Sequence, residues 1–590
     1  MLHALVEYAE RQLPDSEPGF KTREVRWGIE LATDGRFLNV VPLGDGKRGQ
    51  EQPRCPDMHG MNAGGKSHFL VETAQTVTLL SKTNEDSKKF SSIKEKHRFF
   101  VNMLREASTS NSVLAPLVRV LDDELQLDRI RDALAEHKAK PTDWVGWRVD
   151  GADPCGDETV QTWWREWRHN DLGKSGVRAN GTKEANDGAM LCLLTGEIVQ
   201  PLLTHPKVTG LSGVGGLGTG DVMVGFDKAA FGSYGLDQSA NAAMGADAAQ
   251  KYVDGLNDLI RNHSRKLGSS LVAYWFKNHV PVENDPLAFL TGLESEEQTE
   301  AAALGAARRL LDSIRSGERA DLGENRFFAL TVSGAAGRVM VRDWMEGRFE
   351  DLVSNVVAWF ADLAVISRYG QGQAPDPKFM AVCGALVRDL KDLPAPTAAT
   401  LWRVAVQRLP IPQSLMAQAL ARFRVDLVDK DQPSFNHARL GLIKAYFVRL
   451  KPGGDQAMTA YLNPDHPAAA YHCGRLLAVL ANLQRAALGD VGAGVVQRYY
   501  AAASQTPGLI LGRLTVNARN HLGKLEGGLA YWYENQIADV MGHLQDGAPR
   551  ILDLEGQGLF ALGYYQQLAA LRAGTKNTAN KSTSDQGETK

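Results

Sequence analysis

Strand-like runs in this 590-residue chain almost vanish from Phe349 onward, and beyond that point the sequence reads as packed helices. The pattern predicts an α+β protein: an irregular mixed α/β N-terminal body with long glycine-rich loops, then an all-α C-terminal half ending in a helical bundle. The chain is too long for one hydrophobic core. Boundaries are expected at 1–345 for the mixed body, 346–455 for a helical connecting domain and 456–573 for the bundle, with 574–590 a disordered tail lacking large apolar side chains.

Within the body, Val25–Ile29 and Phe37–Val41 read as strands around the turn Asp34-Gly35, and Trp144–Val149 as another. Leu43–Ser67 reads as a long loop. Residues 86–140 read as helices broken at Pro116, and Trp163–Arg168 as a helix whose tryptophans pack in a core. Phe327–Val332 and Val339–Trp344 form a predicted hairpin across Ser333–Gly337. The helices after Phe349 are punctuated by prolines and by the breaker Lys451-Pro452-Gly453-Gly454.

Lys and Arg total 66 against 69 Asp and Glu, so nucleic-acid contact, if any, must rest on local patches rather than on net charge. The five cysteines are far apart in sequence and never in C-x-x-C spacing, which suggests neither a disulfide framework nor a zinc cluster. The N-terminus has no apolar signal region, and no long uninterrupted apolar run occurs. A cytoplasmic protein is expected.

Two phosphate-binding patterns occur without their usual context. Gly60-Met61-Asn62-Ala63-Gly64-Gly65-Lys66-Ser67 fits G-x-x-x-x-G-K-[ST], but the proline-rich segment before it cannot be a buried strand. Gly213–Gly218 fits G-x-G-x-x-G, yet it follows a His-Pro turn and enters a strand-like run. Neither H-E-x-x-H nor G-x-S-x-G is present, so no catalytic residue, metal or cofactor is assigned.

Three segments carry a resemblance: Leu191–Glu197, His205–Val208 and Val224-Gly225-Phe226-Asp227-Lys228-Ala229-Ala230-Phe231-Gly232-Ser233-Tyr234-Gly235. With Phe327–Leu330, Arg338–Trp344 and Ala470–Leu480, they resemble the large-subunit family of type I-C CRISPR surveillance (Cascade) complexes. The family usually has Asn where Asp227 stands and Pro-Asn where Gly334-Ala335 stands. The resemblance implies a subunit without chemistry of its own. It would recognise the protospacer-adjacent motif in double-stranded DNA, aid duplex opening, stabilise the R-loop and recruit a helicase-nuclease. Implied partners are crRNA, target DNA, the backbone and five-prime-handle-binding subunits, and a small subunit translated from an internal start, for which Met458 is placed suitably.

The residues fit that work. A loop entering a DNA groove needs a thin backbone, donors for base edges and a cation for phosphate. Asn62, Lys66 and Ser67 supply these at the first glycine segment, and Lys207, Ser212, Thr219, Lys228, Ser233, Tyr234, Gln238 and Asn241 at the second. In the C-terminal block Arg475, Arg485, Arg498, Arg513, Asn517, Asn520 and Lys524 are candidates for an opened strand, and Arg513, Asn517, Asn520 and Lys524 share one helical stripe. The rival readings are an NTPase using Gly60–Ser67, and a scaffold whose glycine loops touch only other subunits.

Overall fold

The computed structural model describes residues 1–13, 17–45, 48–58, 65–81, 87–174, 188–291, 303–428, 435–450, 456–489 and 494–584. Two compact units account for them: Met1–Ser264 with Val332–Val341, and Arg265–Thr331 with Arg342–Lys590.

In the first unit a four-stranded sheet has the order Phe37–Pro42, Trp27–Leu31, Trp144–Val149, Glu72–Thr73. Trp27–Leu31 and Trp144–Val149 pair in parallel, with Gly28 opposite Gly146, and both are mostly buried. Parallel strands need cover on their faces. The helices Lys88–Ser108, Ala115–Asp122 and Glu124–Glu136 bring Phe100, Leu104, Leu117, Val120, Ile130 and Leu134 into one core with Ile29, Val145 and Trp147. Trp164, on the helix Glu158–Lys174, is fully buried, stacks on Phe69 and donates its indole N–H to Gly19 O at 2.6 Å. The tryptophan cluster is core.

One strand was hidden by its prolines. Gln50–Pro56 runs through the stretch read as loop and pairs antiparallel with Phe20–Val25. It tolerates Pro53 because it has a partner on one side only. The remainder of this unit is built on the helix Ala246–Asn262, against which Leu2–Gln12 lies so closely that a β-carbon at Gly255 would stand 2.6 Å from Leu5 O.

The hairpin Arg326–Ala335 and Arg338–Arg348 turns at Ala336-Gly337, both at positive φ, so the connection is two residues rather than the five expected. From Phe349 on, the described residues of the second unit contain helices and no strand. The fold is thus α+β, as the patterning predicts. Its core is continuous from Leu267 to Leu571. Even cations are enclosed: on the helix His437–Arg449, Arg449 donates to Asp362 at 2.7 Å and Arg439 pairs with Asp426. The final helix is Leu554–Ser584.

Candidate nucleic-acid interface

The second glycine segment is a closed loop. Val208 and Asp221 exchange backbone hydrogen bonds at 2.9 and 2.8 Å, fastening its two ends. Inside it the fully buried Asp221 carboxylate accepts from Leu217 N–H at 3.2 Å. His205, buried just before the loop, places Nδ1 2.8 Å from the Tyr252 hydroxyl, and burial pushes its pKa down to about 4.

The glycines serve a crossing. A β-carbon on Gly334 would lie 2.1 Å from Gly216 Cα, and one on Gly215 would lie 2.8 Å from Gly334 O. Backbone therefore rests on backbone where the loop meets the hairpin tip. Val222 N–H donates to Gly337 O and Val339 N–H to Val222 O at 2.8 and 2.9 Å, extending the hairpin by one parallel bridge. Gly213 and Gly218 meet nothing within 4 Å and remain open.

Beyond the crossing the chain forms an exposed, braced finger. Asn241 Oδ1 accepts from Ser233 N–H and Oγ–H at 2.9 and 3.1 Å, while its Nδ2 donates to Leu236 O and Gln238 O. Tyr234 and Gln238 are held at φ of 52° and 46°, a region that side-chain-bearing residues adopt rarely. Tyr234 is 100% exposed and Phe231 43%, so neither is a core residue. Arg338 lies over the Phe231 ring at 5.4 Å and pairs with Asp227 at 2.9 Å. Both departures from the resembled family thus have local partners: Asp227 has Arg338, and Gly334 has Gly216.

Lys207, Ser212, Thr219, Lys228, Ser233 and Gln238 are exposed in this loop and finger. Asn241 is a brace: its amide is consumed inside the finger, which corrects its assignment as a DNA contact. At the first glycine segment Asn62 lies outside the described residues. Lys66 is half-buried and Ser67 fully buried, its hydroxyl without a partner, so Ser67 is also withdrawn as a contact. A phosphate cradle would need a helix starting at Lys66-Ser67, but the next helix begins at Ala74. Beneath the segment Arg23 pairs with Asp57 and lies 3.9 Å over Trp144, and Met58 N–H donates to His68 Nδ1 at 3.1 Å. Burial lowers the His68 pKa.

In the second unit the candidates separate. Arg475 is buried, and its guanidinium reaches Gln567, Pro464 O and Asp539, each at 2.9 Å. It is a structural tie, not a strand contact; one of the five cations named along this block faces inward. Arg485 is exposed and lines a cleft of about 250 Å³ with Arg572. Arg498, Arg513, Asn517 and Asn520 are exposed, the last three on one face of the helix Pro507–Leu522 beside exposed Val516. Lys524 is exposed two residues past the helix end.

Sequence reasoning missed Arg338, which organises the finger from across the hairpin, and no local signal marks it. Among the described residues no group of His, Cys, Asp and Glu could hold a metal ion, and no helix is long and apolar enough to cross a membrane. The family model described as "CRISPR-associated protein (Cas_Csd1)" matches residues 5–572. No curated protein matches the chain.

Proposed function

Because the chain belongs to the Cas_Csd1 family of CRISPR-associated proteins, we propose that it is the non-catalytic large subunit of a type I-C CRISPR effector complex, working in the cytoplasm. In this reading base pairing with crRNA selects the target, and the protein reads the short protospacer-adjacent motif beside it. It then aids duplex opening, stabilises the R-loop and recruits the helicase-nuclease.

The observation that supports this reading best is the braced finger. Four hydrogen bonds through Asn241 and a strained backbone hold Tyr234 wholly in solvent. Such strain persists only where surrounding structure imposes it, and an aromatic presented this way suits insertion at a base step. Lys207 and Lys228 supply cations for phosphate on the same loop system, and Ser212, Thr219, Ser233 and Gln238 supply polar groups for base edges. The hairpin Met190–Leu191 with Ile198–Val199 leaves Leu191, Leu193 and Ile198 at least 60% exposed beside Glu197. Aliphatic and acidic, that surface suits a neighbouring protein subunit better than a nucleic acid.

The test is motif discrimination by the assembled complex. Tyr234→Ala and Lys228→Ala are expected to lower the preference for motif-bearing duplex while leaving assembly on crRNA intact. Complexes lacking this chain that discriminate flanking sequence equally well would end the reading. Thermal shift with Mg-ATP separates the NTPase alternative, since a nucleotide site would stabilise the fold.

A small subunit beginning at Met458 is part of the same proposal. Such a product keeps the helix Ala469–Leu488 packed on Leu554–Ser584 but loses Phe435 and Phe447, which lie against Tyr564 and Gly558 in the full chain. It therefore needs a partner over that face. N-terminal sequencing of a companion band decides whether it exists.

A further inference from the structure

The helix Lys88–Ser108 carries a charge concentration that none of the loop candidates includes. Its first half holds Lys88, Lys89, Lys94, Lys96 and Arg98 against one acid, Glu95. Several other surface cations of this unit are paired, Arg105 with Asp122, Arg131 with Glu124, and Lys251 with Glu10 and Asp247. Among the described residues, these five make no ion pair. In a chain of formal charge −3, such a row is not a by-product of composition. Water and salt screen such a row, and its net positive field attracts an anion laid along it.

The helix fixes where the row points. Phe90, Ile93, Phe100, Val101 and Leu104 are buried, so Lys88, Lys89, Lys94 and Arg98 stand in solvent. Lys94 and Arg98 are one turn apart, with side-chain roots about 5–6 Å from each other. A DNA strand offers one phosphate per about 3.4 Å of rise, so successive side chains reach neighbouring phosphates. No aromatic ring is exposed on this helix, since Phe90 and Phe100 are buried and Phe99 packs edge-on against Trp167. Single strands are held largely by stacking on aromatics, and a net cationic face without an exposed ring fits a duplex backbone better. The helix also abuts the first glycine segment, for a β-carbon on Gly65 would come 3.3 Å from Glu95.

We propose that the first half of this helix is a sequence-independent clamp for the phosphate backbone of double-stranded DNA, contacted by Lys88, Lys89, Lys94, Lys96 and Arg98. This rests on the reading that the protein engages duplex DNA, but not on which loop reads the motif.

The experiment uses the full chain carrying Lys88→Ala, Lys89→Ala, Lys94→Ala and Arg98→Ala together. A second variant has Lys88→Arg, Lys89→Arg and Lys94→Arg, which keeps the charge. Probes are a duplex of about three helical turns with the motif, the same duplex without it, and a single-stranded RNA of equal length. The alanine variant is expected to lose affinity for both duplexes by the same factor, with the slope of log K against log salt shallower by up to about 3.6, or about 0.9 per contact. The arginine variant should keep the slope. A correctly folded alanine variant with an unchanged slope overturns the clamp, as does a loss confined to RNA or an intact chain that binds no duplex. If the slope falls while the intact chain never distinguishes the two duplexes, the clamp stands and motif reading by the finger fails.

Discussion

Glycine brings backbones together in both units, and the difference lies in what crosses. In the first unit, Gly216 and Gly334 let an irregular loop rest on a hairpin tip. In the second, Gly474 and Gly563 sit on two helices: a β-carbon at Gly474 would lie 2.0 Å from Phe560 O, and one at Gly563 2.1 Å from Tyr471 O. The helix crossing lies within a continuous core, so its loss is felt throughout that core. The loop crossing carries a finger whose outer side chains touch solvent, so its loss is felt in what the finger can present.

Gly474→Val is the harshest way to break that comparison. Its branch must displace main chain, not a side-chain tip, so the loss should exceed the usual overpacking range and reach at least about 3 kcal/mol by urea unfolding. Gly334→Val should instead leave the second unit's unfolding midpoint in place and expose the finger to proteolysis. Equal global losses in the two variants would mean that the loop crossing is as integral to the core as the helix crossing.

The cations sharpen the same contrast. Arg475→Ala removes charged hydrogen bonds from a buried guanidinium and strands Gln567, a loss of about 3 kcal/mol. Arg513→Ala, on an exposed face, should stay within about 0.5 kcal/mol of the parent while reducing the salt slope for single-stranded DNA by about 0.7. A stable Arg475→Ala that binds strands poorly would return Arg475 to the strand surface.

These examples show what the sequence made legible. The division into mixed and helical halves could be read because strand and helix periodicities are local, and each holds over many residues. Trp144–Val149 appears as a strand for that reason. Gln50–Pro56 does not, because an edge strand's tolerance of proline depends on where its partner lies. The glycine-rich loops could be located, but not the purpose of Gly216, since Gly334 is distant in sequence and only the crossing joins them. The direction of Arg475 was likewise invisible, because neither its stripe nor its neighbours distinguish a tie to Asp539 from a surface charge.

Acid should act in part through a buried ring. The His205 pKa of about 4 lies below the 6.5 of an unperturbed histidine because burial disfavours the charged form. The unfolded chain therefore takes up a proton below about pH 6.5 that the folded chain refuses until about pH 4, so the contribution is present at neutral pH and lost on acidification. Between pH 7 and 5 this one group should account for about 2 kcal/mol, at 1.36 kcal/mol per pH unit. Urea midpoints of the parent and His205→Phe at both pH values provide the check. A variant whose acid sensitivity matches the parent would remove His205 from the account.

The smallest expected change bears most directly on the finger. Asp227 and Arg338 are both more than half exposed, so breaking their pair by Asp227→Asn should alter stability by no more than about 1 kcal/mol. Its effect on binding is different in kind. The substitution removes a negative charge beside the finger and frees Arg338, which already lies over Phe231, to meet a phosphate. The salt slope for duplex binding should steepen by about 0.9, one added contact. An Asp227→Asn protein with the parent's slope would show that Arg338 is committed to Phe231 and the hairpin. The finger would then have to meet DNA through Lys207, Lys228 and Tyr234 alone.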